Sequence, residues 1–279
     1  MTDAGLSRPL PKPRPGDWLR EHAEPGQTLR QFHNTSFRIV PHGAVTTLLL
    51  QPIGDYLADP VSAPPLPLLA AYLQAFFGPG VDVRVTKPVA LERIPNLTTR
   101  VGPEGLRQVL VGDLYAYLGG VMKSKDRART TLATVGVTME DLYPGDKWNF
   151  VYGEANPMDA VGVFSFARYH PSFTPTTLQT SPEVTMLLRS CKVLSHEVGH
   201  LAGLKHCVHF HCIMNGANHA RELEQQPLQL CPLCLKKLAG PFHWDIAARS
   251  KALEAFYAAH GFPEAVAEEQ RLQAYFGTK

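Results

Sequence analysis

Ser195-His196-Glu197-Val198-Gly199-His200-Leu201-Ala202-Gly203-Leu204-Lys205-His206 reads H-E-x-x-H-x-x-G-x-x-H. Residues four apart share one face of a helix, so His196 and His200 would point the same way and can share one zinc ion. Glu197, beside the first ligand, is placed to take a proton from an attacking water. Gly203 can adopt the positive φ that ends a helix and turns the chain, returning His206 as a third ligand. Three protein ligands leave one zinc position open, the pattern of a catalytic rather than a structural site.

Immediately downstream the sulfur chemistry begins. Cys207 follows His206, Cys212 lies five positions on, and Cys231-Pro232-Leu233-Cys234 closes the set. A C-x-x-C pair with a second, looser pair can complete a sulfur tetrahedron. Four thiolates leave no open position, so this second zinc is expected to be structural and its binding to contribute folding free energy. Met214, just after Cys212, offers a flexible apolar floor under the imidazoles and is read as a Met-turn. His209, His211 and His219 lack the motif spacing and default to surface or supporting roles.

The chain has 279 residues, 44% of them hydrophobic, enough for a sizeable core. Its formal charge of +2 argues against nucleic-acid binding as the main business. No apolar run is long enough to span a membrane. Residues 1–16 carry four prolines and no apolar stretch of the secretory kind, so an intracellular, cytoplasmic location is expected. In a reducing compartment the cysteines favour metal over disulfides. The fifth, Cys191, falls on an apolar helical stripe and reads as core.

Upstream, Ser181 and Pro182 make a good helix start, and Val184, Leu187, Leu188, Cys191, Leu194, Val198 and Leu201 form a core-facing stripe. Residues 44–51 read as a strand, 68–77 as a helix stopped by Gly78, and 81–85 as a second strand parallel to the first. A helix is expected over 112–125 and a buried strand over 132–138. Strands are also expected at 148–152 and 161–169, one of them an edge that pairs with an extended peptide. Two helices, 244–260 and 263–276, follow the cysteines. The Pro-rich segment 7–15 favours an extended arm. Residues 1–40 are therefore assigned to an arm and 41–279 to a single domain, with an upper sheet-and-helix lobe (41–203) and a lower zinc-loop and helical lobe (204–279).

With its elements at His196, Glu197, His200, Gly203, His206, Cys207, Cys212, Met214, Cys231 and Cys234, the chain resembles the archaemetzincins, a family of the metzincin clan. The likeness is greatest to eukaryotic members and extends upstream through 138–144, 148–153 and 162–169. It does not cover the first forty or so residues. The resemblance implies a zinc metallopeptidase of α+β (mixed α/β) class: a small mixed twisted sheet, an active-site helix and a four-cysteine zinc loop followed by C-terminal helices. It implies restricted activity, with aminopeptidase action proposed for some members.

The sequence thus predicts a peptidase with two Zn2+ per chain. His196, His200 and His206 would hold the catalytic ion, and Cys207, Cys212, Cys231 and Cys234 the structural one. Glu197 would be the general base, and a peptide or small protein the substrate. The alternative is a zinc-stabilised peptide-binding protein with a vestigial site, against which the intact Glu197 argues. No Tyr follows Met214, so the oxyanion donor is open among Arg168, Tyr169 and His170. Glu154 and Asp159 are both candidates to receive a free amine.

Overall fold

The computed structural model describes residues 6, 8–56, 63–123, 129–176 and 178–277. Two short helices open it, α1 (Trp18–Glu21) and α2 (Leu29–His33). The second exists because Thr28 and Gln31 satisfy each other's backbone N–H groups in a capping box, while Phe32 buries its ring completely. Neither helix was expected. The Ser7 end of the polyproline stretch lies outside the described residues.

The strand–helix–strand unit follows as β1 (Thr47–Ile53), α3 (Leu66–Phe77) and β2 (Asp82–Val85), with β2 parallel to β1. Gly78, at φ +72°, stops α3 where the sequence placed its end. A small sheet comes next: β3 (Thr99–Val101) runs antiparallel to β4 (Arg107–Leu110), which runs parallel to β6 (Asp141–Tyr143). Between them lie α4 (Val111–Met122) and the fully buried β5 (Thr131–Thr138). The expected helix to Lys125 ends at Met122, and residues 124–128 lie outside the described set.

The main sheet has the order β2-β1-β5-β8-β7, adding β7 (Gly153–Asn156) and β8 (Val161–Ser165). Four strands are parallel and β7 is the antiparallel edge. Two expectations need correction. Residues 148–152 do not form a strand: only an isolated bridge joins Val151 to Leu142. The Trp148 and Asn149 carbonyls accept from Arg100, and Asn149 also from Gln108, so side chains replace the ladder. The strand over 161–169 ends at Ser165, where the chain turns and Tyr169 N–H bonds to the Phe166 carbonyl.

Both faces of the sheet are covered, as a mostly parallel sheet requires. Leu48, Leu50, Val135, Val137 and Phe164 meet α3 and the long α5 (Pro182–Leu201), while Ile53, Val161 and Val163 meet α4. Gly136 lets α4 approach, since a Cβ there would lie 2.9 Å from Ile53 and 3.0 Å from Leu118. After α5 come α6 (Ala220–Gln225), α7 (Pro232–Ala239), α8 (Ile246–Ala259) and α9 (Pro263–Gly277). The last two correspond to the expected C-terminal helices. Arg249 of α8 and Trp244 just before it brace α3, Arg249 donating to the Phe76 carbonyl (2.6 Å) and the Trp244 indole to that of Phe77 (2.7 Å). Those carbonyls belong to the helix end, where no intrahelical donor exists. The architecture is α+β, a mixed sheet with helices. Among the described residues no helix is long and apolar enough to cross a membrane.

Candidate metal centre

The centre grows from α5. Ser181 caps it by accepting from Val184 N–H, Pro182 occupies the first turn, and the stripe through Leu187, Cys191, Leu194, Val198 and Leu201 is buried. On the partly exposed side of the last turns stand His196, Glu197 and His200. Gly203 then takes φ +90°, with its N–H bonded to the His200 carbonyl, and the chain doubles back to His206. A Cβ on Gly203 would also lie 2.9 Å from Arg38. Gly203→Ala is therefore expected to cost about 1–2 kcal/mol of stability from the left-handed conformation alone. Chemical denaturation of the metal-loaded protein measures this, and a wild-type midpoint would contradict it.

The three imidazoles converge, with ring centroids 4.7, 5.1 and 5.3 Å apart. Each Nδ1 is occupied. That of His196 faces the Ile213 carbonyl (2.8 Å), that of His200 the Leu204 carbonyl (2.8 Å), and that of His206 the Glu24 carboxylate (2.9 Å). Carbonyls and carboxylates accept, so each Nδ1 carries the proton and each Nε2 keeps its lone pair. The His196 and His200 Nε2 atoms are only 3.0 Å apart. Lone pairs gathered this way repel unless a cation lies among them, and neutral imidazoles fixed by acceptors are the donor set zinc takes. Burial, then the neighbouring imidazoles, push the pKa of His196 well down and that of His200 to about 4, so both are neutral at pH 7.

Beneath this group Met214 is fully buried, and a Cβ on Gly199 would lie 2.5 Å from its sulfur. Its carbonyl accepts from Cys207 N–H at 2.7 Å. The sulfurs of Cys207, Cys212, Cys231 and Cys234 are buried and lie within 4.8 Å of one another. The Cys207–Cys231 separation of 3.7 Å is far from a bonded length of about 2.05 Å, and all four are free thiols. This group also fits a tetrahedral zinc. Asn215 ties the loop between the two clusters, donating to the Cys207 and Phe210 carbonyls and accepting from Cys212 N–H.

Glu197 follows His196 on α5 and is half-buried. Burial, then the charge of Glu154, push its carboxyl up to about 8. Glu154 thus lies within the field of Glu197, on β7. Asp159 lies in the turn between β7 and β8 and accepts from the Asn156 side chain. Arg168 is committed elsewhere: it is buried and grips Asp141 at 2.7 and 2.8 Å, with Glu104 on its other side. His170 bonds Ser172. Two other groups carry no signal in the sequence. The Tyr115 hydroxyl on α4 is buried without a hydrogen-bond partner, in the field of both Glu154 and Glu197. Glu24, from the Pro-rich end of the chain, reaches His206.

The sequence model of Peptidase family M54 matches residues 85–240. Archaemetzincin-2 of Homo sapiens is 36% identical over 89% of this chain and 74% of its own length. Archaemetzincin-1 of Homo sapiens is 29% identical over 85% of this chain and 51% of its own. The crystal structure of the archaemetzincin from Methanopyrus kandleri superposes with a TM-score of 0.50 and 26% identity, covering 74% of this chain and 99% of that one. A chain carrying converged imidazoles, a buried sulfur cluster and these relatives belongs to peptidase family M54, the archaemetzincins, and is a zinc metallopeptidase.

Proposed function

We propose that the protein hydrolyses peptide bonds with His196, His200 and His206 holding a catalytic zinc and Glu197 serving as general base. Cys207, Cys212, Cys231 and Cys234 hold a second, structural zinc, and Met214 floors the first site. The convergence of three Nε2 atoms, each with its Nδ1 already spent on an acceptor, carries this reading. A zinc held by these imidazoles would supply Lewis acidity, and its charge would favour the carboxylate form of Glu197. Glu197 accepts the water's proton and hands it to the leaving amine. The outer edge of β7 aligns an extended peptide through main-chain hydrogen bonds. Zinc counting on never-chelated protein, with cleavage of a peptide mixture, tests the proposal. Two zincs per chain with products support it. Two zincs with tight peptide binding and no products would favour a binding protein instead.

The finer reading is aminopeptidase action. Of the two candidate carboxylates, Glu154 sits on β7, the strand whose edge would align the peptide, while Asp159 lies in the turn beyond it on Asn156, so Glu154 is the one to receive an N-terminal ammonium. A charge-assisted hydrogen bond contributes about 1.5–3 kcal/mol. Glu154→Gln should therefore lower kcat/KM for peptides with a free N-terminus about 10–100-fold and leave N-acetylated peptides unchanged. Equal loss on both sets would remove the assignment.

A further inference from the structure

We infer that Glu24 is a positioning residue for His206, and that the segment around it, held by Trp18, is a built part of the metal centre. The inference rests on the reading above, in which His206 is a zinc ligand. His196 and His200 lean on backbone carbonyls, whereas His206 leans on a carboxylate, with Nδ1 at 2.9 and 3.1 Å from its two oxygens. An anionic acceptor fixes the imidazole tautomer and raises the basicity of the opposite nitrogen. The carboxylate is fixed in turn. The Trp18 indole N–H donates to Glu24 at 3.0 Å, and its ring stands edge-on to the His206 ring with centroids 5.1 Å apart.

Trp18 has a prepared seat. A Cβ on Gly216, two residues beyond Met214, would fall 2.3 Å from its ring, so the glycine is what lets the indole lie there. The Trp18 backbone N–H bonds both oxygens of Glu222, at 2.9 and 3.0 Å. On the far side of Glu24, Gln27 is buried. It donates to the Gly203 carbonyl and accepts from Lys205 N–H and the Lys237 ammonium. Further out, Leu10 N–H bonds the His209 carbonyl and His211 N–H the Arg8 carbonyl. Residues 8–27 are thus bonded along the ligand loop from Gly203 to His211. They lie outside residues 85–240, which the family model spans, and outside the 41–279 unit expected from the sequence.

Full-length Glu24→Ala, Glu24→Gln and Trp18→Phe, loaded with zinc, test this. Chelator competition reads the affinity of each of the two zincs, and nitrogen-15 shifts of His206 read its tautomer. Removing a ligand's hydrogen-bond partner weakens metal binding about 10–100-fold. Glu24→Ala should weaken one of the two zincs by that factor, leave the sulfur-bound one unchanged and lose the fixed Nδ1–H tautomer. Glu24→Gln, which keeps an acceptor but no charge, should keep the tautomer and lose less affinity, and Trp18→Phe should shift affinity the same way by a smaller factor. Kinetically, kcat should fall more than KM rises. Wild-type zinc affinity in Glu24→Ala overturns the inference. So does equal weakening of both zincs in Glu24→Gln, which would mark a general structural role. His206→Ala separates the two readings: if it retains both zincs, His206 is no ligand and the proposed site fails first.

Discussion

Glu197→Ala is expected to retain both zincs and to lose about 10²–10⁴-fold in kcat. The side chain is no ligand in the imidazole cluster, so metal content, measured on dialysed protein, should equal the wild type. What disappears is the group that receives one proton and returns it to the leaving nitrogen. Without it the water must be deprotonated by solvent, and the amine must leave unprotonated or find another acid. Glu197→Gln should lose nearly as much, because the amide keeps the shape but cannot carry the proton. KM should move little in either variant, which separates loss of transition-state stabilisation from loss of binding. Cleavage at the wild-type rate would refute the role of Glu197. Intact peptide binding with no turnover in the wild type itself would favour the vestigial-site alternative.

Much of this centre was legible because its constraints are local. The spacing of His196 and His200 is one turn of helix, Gly203 is a positive-φ position at the point where the chain must reverse, and Ser181-Pro182 marks the helix start. The parallel unit 47–85 was legible for the same reason, since an apolar run, a helix and a glycine stop each declare themselves within a few residues. What failed was non-local. Residues 148–152 look like a strand, yet the Trp148 and Asn149 carbonyls are taken by Arg100 and Gln108, more than forty positions away along the chain. The edge fell instead on Gly153–Asn156, whose composition carries little strand signal. The N-terminal contacts were equally hidden. Nothing within residues 8–27 specifies a partner; Glu24 gains its place only once His206 has been folded back and Gly216 leaves room for Trp18. Of the oxyanion candidates Arg168, Tyr169 and His170, Arg168 is held by Asp141 and Glu104 and His170 bonds Ser172, contacts that no local spacing declares.

Cys231→Ser should have the larger structural effect, and through it a catalytic one. Cys231 stands at the N-cap of α7, and its N–H donates to the Cys212 sulfur at 3.2 Å, so it joins the helix to the loop that follows His206. A serine oxygen is a poor zinc ligand, and three thiolates would leave the ion exposed to exchange. Structural zinc binding contributes about 10–16 kcal/mol in isolated zinc-finger peptides. Here part of the loop is also held by Asn215 and by the Cys207–Met214 backbone bond, so the loss should be incomplete but still large. The measurable outcome is one zinc per chain fewer, a thermal midpoint lowered by many degrees, and faster amide exchange across residues 206–215. Because Cys207 follows His206 directly, the imidazole cluster should lose affinity as well, and peptide cleavage should fall with it. Cys191→Ser is the matched control: Cys191 lies buried on the α5 stripe, away from the sulfur cluster, and its loss should alter packing while both zincs remain. If Cys231→Ser kept full activity and a full imidazole site, the two metals would be independent. His206 would then owe its place to α5 and the N-terminal segment alone.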